Sequence, residues 1–261
     1  MRYILSSTSR PVLKRLAAAR TLCAFDFDGT LAPIVRHPSM AAMRARTLAL
    51  LDRLAEVYPC IVVSGRSRSD LMGKLGEAKV AHVIGNHGRE METATRSTRP
   101  PTAAWKTALE FELGSEGGLW VEDKGLSVAV HYRQFPRKAE ARHRILMAAQ
   151  KLEGVQIFGG KQVVNLVEVD APTKRTALAA ERDRLQCEWV LYVGDDENDE
   201  DAFAMDGKTV PVRVGKSKRS HAHYYLRAQS EIDKLLGLLV QLRPSHSPGS
   251  SGRRDLTIAE I

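Results

Sequence analysis

The 261-residue sequence predicts an α/β protein: a parallel sheet with helices on both faces, interrupted by an inserted α+β segment. Three observations predict it. Short apolar runs alternate with helical patterns near both ends of the chain. In the middle the alternation stops, and paired strand-like runs sit beside helices instead. Acidic residues cluster directly after two of the apolar runs, at the carboxyl ends of strands, where open α/β sheets bind ligands.

The elements follow in order. The opening "MRYILSSTSRPVLKRLAAARTL" breaks its apolar residues with polar and basic ones, and Arg10, Lys14 and Arg15 suit an amphipathic helix rather than a secretory signal. Leu22 to Phe27 reads as a buried strand, and "MRARTLALLDRLAEV" repeats Leu at helical spacing. Cys60 to Ser64 is a second strand, "RSRSDLMGKL" starts another helix, and Ala81 to Gly85 is a third strand. Trp189 to Gly194 and Thr209 to Arg213 resume the pattern, and "IDKLLGLLVQL" closes it as a helix. Residues 1–92 and 172–243 are therefore expected to form the core. Residues 93–171 form the insert: a polar linker "TRSTRPPTAAW", a helix ending near Leu113, strands "LWVED" and "LSVAVHY", a helix "KAEARHRILMAAQKL", and strands "VQIF" and "QVVNLVEV". Residues 244–261, rich in Ser, Pro and Gly, read as a mobile tail.

Composition bounds the function. Hydrophobic residues at 43% and charged residues at 27% are an ordinary globular balance, and no apolar run reaches the roughly 18 to 20 residues of a membrane span, so a cytoplasmic protein is expected. The net charge of +8 is spread along the chain without runs interleaved with aromatics, which favours attraction to a small anionic substrate over nucleic-acid binding. Cys23, Cys60 and Cys187 show no CxxC spacing and read as buried small hydrophobes in a reducing compartment.

The chemistry lies at the strand ends. In "DFDGT", Asp26 and Asp28 leave the first strand two residues apart, so both reach the space above the sheet, where a divalent cation is the simplest neutraliser. The alternative is a "DG" turn with solvated carboxylates. A second cluster, "GDDENDEDAF", follows the strand ending at Gly194, and there Asp195 and Asp199 can converge with Asp26 on one Mg²⁺. Glu197, Glu200 and Asp201 suit a helix N-terminus and have a structural role. Ser64 and Gly65 offer a hydroxyl and a flexible amide to phosphate oxygens, and Lys174 sits in the first turn of a helix, where a cation calls for an anion nearby.

These motifs, "DFDGT", "VVSGR", "APTKRTAL" and "GDDEND", occur in the order found in the haloacid dehalogenase (HAD) superfamily, which the chain resembles over all but its tail. The resemblance implies a HAD-like Rossmannoid core with an inserted α+β cap of the C2B type. It also implies roles: Asp26 as the nucleophile that forms an aspartyl-phosphate, Asp28 as general acid then base, and Ser64 and Lys174 as phosphate ligands. Asp195, with Asp26 and the Asp28 carbonyl, would hold Mg²⁺, and Asp199 would support that shell and orient Lys174. Within the superfamily the segments "FDFDGTLAPI", "IGNHGRE", "EDKGLSVAVHYR" and "GDDENDEDAF" resemble trehalose-6-phosphate phosphatases.

That closer likeness implies that Glu122 and Lys124, with His87, Asn165 and Glu168, contact sugar hydroxyls, and that Gly65, Arg66 and Arg133 join Ser64 in the substrate-binding set. Each has a plainer reading: His87 as a turn cap, Glu122 and Lys124 as a solvated pair, Arg133 as a surface cation, Asn165 as a half-buried strand residue. The chain departs from the family's usual residues at Phe27, Asn198 and Arg175. The implied function is Mg²⁺-dependent hydrolysis of trehalose 6-phosphate to trehalose and phosphate by a monomer whose partner is a small sugar phosphate. Two alternatives stand beside it: a related capped phosphatase acting on sucrose phosphate or a mannosyl- or glucosyl-glycerate phosphate, and a noncatalytic sugar-phosphate sensor.

Overall fold

A computed structural model describes residues 1–91, 100–115 and 117–244. The first five residues of the expected linker (95–99), and the expected tail from residue 245 onward, lie outside the described residues. The chain opens with a short strand β1 (Arg2–Tyr3) and helix α1 (Arg10–Ala18), which turns Leu13, Leu16 and Ala17 inward. Then come β2 (Thr21–Phe25), α2 (Ala45–Ala55), β3 (Cys60–Val63), α3 (Arg68–Leu75) and β4 (His82–Ile84). The middle of the chain holds α4 (Thr102–Leu113), β5 (Trp120–Asp123), β6 (Val128–His131), α5 (Lys138–Ala149), β7 (Val155–Gly160) and β8 (Val163–Glu168). The last part adds α6 (Lys174–Arg184), β9 (Trp189–Gly194), α7 (Glu200–Phe203), β10 (Thr209–Val214), β11 (Tyr224–Leu226) and α8 (Ile232–Leu242).

Seven strands form one sheet in the order β1-β11-β10-β9-β2-β3-β4, every pair parallel. A parallel sheet is buried on both faces, which is why β2 and β3 read as unbroken apolar runs. One face packs on Leu16 of α1, Leu51 and Leu54 of α2, Leu71 of α3 and Leu235 of α8. The other packs on Ala177 and Leu178 of α6 and Phe203 of α7. Cys23, Cys60 and Cys187 are buried and free.

The second sheet is antiparallel, in the order β5-β6-β8-β7, and packs through Val128, Val130, Val164 and Leu166 against Trp105 and Leu109 of α4 and Ile145 of α5. This is the capped α/β architecture read from the sequence. Strands β1 and β11 have no counterpart in that reading, since two or three residues carry no periodicity to detect. Among the described residues no helix is long and apolar enough to cross a membrane.

Register decides what meets above the sheet. Phe25 pairs with Val62 on one side and Val193 on the other, so the residues that follow these strands, Asp26, Ser64 and Asp195, emerge side by side.

Candidate active site

Asp26 is 5% exposed, its N–H donates to the Val193 carbonyl at 2.9 Å, and its Oδ1 accepts from Lys174 Nζ at 2.8 Å. Gly29, at φ +82°, lets the chain turn immediately after the two acids. A Cβ there would lie 1.9 Å from Asp195 Oδ2, so only glycine allows the two loops to approach this closely. Asp28 turns its carboxylate to Arg66, which donates from Nε at 2.6 Å and Nη2 at 2.7 Å. Arg66 is held in turn by Asp70 at 2.6 Å and the Pro38 carbonyl at 2.8 Å.

Lys174 is the hub of the buried charge. Its Nζ donates to Asp26, to Asp199 Oδ1 at 2.6 Å and to Asn198 Oδ1 at 3.0 Å, which uses its three hydrogens. Burial alone would lower the Lys174 pKa, but the Asp199 and Asp26 carboxylates outweigh it and hold the ammonium well above the ordinary lysine range. Asp199 is fully buried and also accepts from Tyr192 Oη at 2.5 Å and from the N–H groups of Asp195 at 2.8 Å and Asp196 at 3.0 Å. Burial opposes its charge, yet Lys174 and these hydrogen bonds keep its pKa low.

The other two carboxylates behave oppositely. Burial pushes Asp26 well above the carboxylate range, with Lys174 only partly offsetting it, and pushes Asp195 up to about 7 despite contact with Lys161 Nζ. Asp26, Asp195 and Asp199 each offer an oxygen within 4.8 Å of the others. Asp26 and Asp195, hard oxygen donors whose ionisation burial opposes, fit a hard divalent cation such as Mg²⁺, which would supply the missing positive charge.

Above these residues lies a cavity of about 820 Å³, walled by the second sheet and its loops. Lys124 Nζ donates to the Gly65 carbonyl at 3.0 Å and stands 3.8 Å from Glu122 Oε2. Burial lowers the Lys124 pKa. Glu122 Oε2 also lies 2.8 Å from His131 Nε2, whose ring stacks on Trp120 at 4.6 Å. On the core side Asn86 and His87 have positive φ, a strained conformation that costs on the order of 1–3 kcal/mol per residue and concentrates at functional sites. Asn86 Nδ2 donates to the Lys124 carbonyl at 3.4 Å, and its Oδ1 accepts from Ser127 Oγ at 2.6 Å. His87 packs edge-on against Phe158 with ring centroids 4.7 Å apart, and neither ring nitrogen has a hydrogen-bond partner. Burial lowers its pKa, so the imidazole is neutral and can both donate and accept. Asn165 lies beside His87, and its buried Nδ2 makes no hydrogen bond of good geometry.

Residues 24–230 match the family model described as trehalose-phosphatase. The chain belongs to the trehalose-phosphatase family. Trehalose-phosphate phosphatase of Mycobacterium ulcerans (strain Agy99) is 33% identical over 246 residues, covering 86% of this chain and 63% of the relative. The chain thus spans about three fifths of the length of that curated relative. In fold it is similar to the C-terminal domain of C. albicans trehalose-6-phosphate phosphatase, with TM-score 0.75 and 21% identity over 89% of this chain and 96% of that one. It is also similar to a HAD subclass IIB sugar phosphatase, with TM-score 0.58 and 14% identity over 83% and 98% of the two chains.

In this trehalose-phosphatase family member the structure brings Asp26, Asp28, Ser64, Gly65, Arg66, His87, Glu122, Lys124, Arg133, Asn165 and Asp195 to one cavity, with Lys174 and Asp199 joined to it through Asp26. Asp199 groups with Asp26 and Asp195 as the acidic cluster led us to expect, and the Asp28 carboxylate faces Arg66. Glu168 does not line the cavity; it accepts from Arg89 Nη2 at 3.1 Å. Arg133 lines the cavity yet donates to the carbonyls of Val35 and Lys161. Three residues were missed. Tyr192 and Asn198 anchor the Lys174–Asp199 pair, and Lys161 brings an ammonium from the β7–β8 turn to Asp195, its N–H donating to Asp196 Oδ2 at 2.6 Å. Asn198 was visible only as a family departure, and Lys161 carried no motif at all.

Proposed function

We propose that this chain is a Mg²⁺-dependent phosphatase that hydrolyses trehalose 6-phosphate to trehalose and phosphate. The observation that carries the reading is one buried ammonium, that of Lys174, shared by Asp26 and Asp199 beneath a cavity walled by polar residues of the second sheet. Residues 93–171 act as the cap that selects the sugar, and residues 1–92 and 172–243 as the catalytic core.

An Asp26 oxygen attacks phosphorus while the ester P–O bond breaks, and Asp28, protonated once one prong of Arg66 releases it, gives that proton to the departing sugar oxygen. Water then attacks the aspartyl-phosphate, Asp28 takes a proton from it, and phosphate leaves with the Asp26 carboxylate restored. Lys174 and Ser64 hold the phosphoryl oxygens, and the Lys174 charge stabilises the transferring group. Mg²⁺, held by Asp26, Asp195 and the Asp28 carbonyl with Asp199 behind them, would add neutralising charge at the same oxygens. Neutral His87 and Asn165, whose buried nitrogens make no hydrogen bond of good geometry, suit sugar hydroxyls, as do Glu122 and Lys124. Arg66 holds Asp28 beside the phosphate.

The test is phosphate release with Mg²⁺ and then with EDTA across trehalose 6-phosphate, sucrose 6-phosphate, glucose 6-phosphate and mannosyl-3-phosphoglycerate. A Mg²⁺-dependent preference for trehalose 6-phosphate is expected. Preference for another ester would keep the core chemistry and overturn the cap assignments. Inactivity on all four would favour a sensor.

A further inference from the structure

We infer that Gln229 is a positioning residue for the loop that carries Asp26 and Asp28: its side-chain amide holds that loop in place through two backbone carbonyls. The inference rests on the phosphoryl-transfer reading of the loop. Residues 29–32 are buried, so their carbonyls cannot turn to water and need donors inside the protein. The loop partly closes on itself, with Gly29 N–H donating to the Ala32 carbonyl at 2.7 Å and Ala32 N–H to the Phe27 carbonyl at 2.8 Å. Gln229 serves two more of them: Nε2 donates to the Thr30 carbonyl at 3.0 Å and to the Leu31 carbonyl at 3.1 Å.

The arm that delivers this amide is itself fixed. Gln229 opens the 3-10 turn Gln229–Glu231 that leads into α8. Glu231 accepts from Tyr3 Oη at 2.7 Å and from the Arg227 N–H at 2.9 Å, and the Arg227 guanidinium lies 4.2 Å from the centre of the Tyr3 ring. Strand β1 thereby braces the turn that braces the loop. Since Gly29 follows Asp28 directly, a shift of this loop moves the acid/base carboxylate, and displacement of a catalytic group by 1 Å can cost on the order of 100-fold in rate.

Three variants separate donation from shape. Gln229→Glu keeps the outline but removes both donors, Gln229→Ala removes the side chain, and Gln229→Lys offers one ammonium that can reach both carbonyls. For Glu and Ala, kcat on p-nitrophenyl phosphate and on the preferred sugar phosphate should fall at least about tenfold, with KM changed less than about twofold, and Lys should recover most of the loss. Hydrogen exchange at the Gly29 and Ala32 amides should quicken in the Glu and Ala variants while amides of β9 keep their rates. Unchanged kcat and unchanged loop exchange in the Glu and Ala variants would overturn the inference, whatever their melting temperatures. The exchange measurement needs no substrate: if the wild type hydrolyses no ester, the functional reading fails while loop exchange alone still decides the role of Gln229.

Discussion

Arg66 grips Asp28 in a two-pronged pair, Nε to Oδ2 at 2.6 Å and Nη2 to Oδ1 at 2.7 Å, and anchors itself on Asp70 with the remaining nitrogen at 2.6 Å. A planar guanidinium fixes both the place and the plane of a carboxylate, which a lysine ammonium cannot do. The Arg66 guanidinium is nearly buried, so the pair is not washed out by solvent.

The expected outcome of Arg66→Lys is a kcat about 10- to 100-fold lower on trehalose 6-phosphate and on p-nitrophenyl phosphate alike, because Asp28 loses its fixed orientation. Steady-state kinetics with both esters checks it. A rise in KM confined to the sugar ester would instead make Arg66 a substrate ligand only.

How much of this was legible beforehand depends on range. The acids after β2 and β9 announced themselves because a carboxylate directly after a buried apolar run needs a reason, and Lys174 because a cation opposes a helix N-terminus. Partnerships made across the fold did not. Arg66 lies 38 residues from Asp28 and Gln229 lies 199 from Thr30, and no local pattern encodes either contact. Lys161 was invisible for the same reason, since the turn between two cap strands reads as any hairpin until the cap is folded over the core. Glu168 has a partner of the same long-range kind, Arg89, 79 residues away.

Lys174→Met should unfold far more easily than wild type. Removing the shared cation leaves Asp26 and Asp199 buried without their counter-charge, a change worth about 3–5 kcal/mol for buried ion pairs. Urea denaturation measures it, and phosphatase activity should disappear with the same substitution. A loss below about 1 kcal/mol would mean that water or protonation of Asp26 relieves the charge.

Glu122 gives the cap an acid-sensitive contact. Burial raises its pKa, but the His131 hydrogen bond and the Lys124 charge outweigh that and leave it below the ordinary 4.5. A depressed carboxylate contributes stability above the unfolded value and loses it as pH falls through the folded one. The advantage of wild type over Glu122→Gln should therefore shrink as pH falls below about 4.5. Denaturant midpoints at pH 5, 4 and 3 test this; an advantage that persists undiminished down to pH 3 would contradict the depressed carboxylate.

Metal binding should appear as thermal stabilisation that increases with pH. Burial, only partly offset by Lys161, holds Asp195 at about 7 in the metal-free protein, against an unfolded value near 3.8. A raised folded pKa means that this group's stabilising contribution is complete below the unfolded value and is lost as pH rises through the folded one, so the metal-free protein weakens on going from pH 4 to 7. A divalent cation reverses the balance, because its ligand must be deprotonated and the proton competes with it below about 7. The rise in melting temperature on adding Mg²⁺ should thus be larger at pH 8 than at pH 6, and Asp195→Asn should abolish it at both. A Mg²⁺ effect independent of pH and indifferent to Asp195→Asn would place the ion elsewhere on the protein.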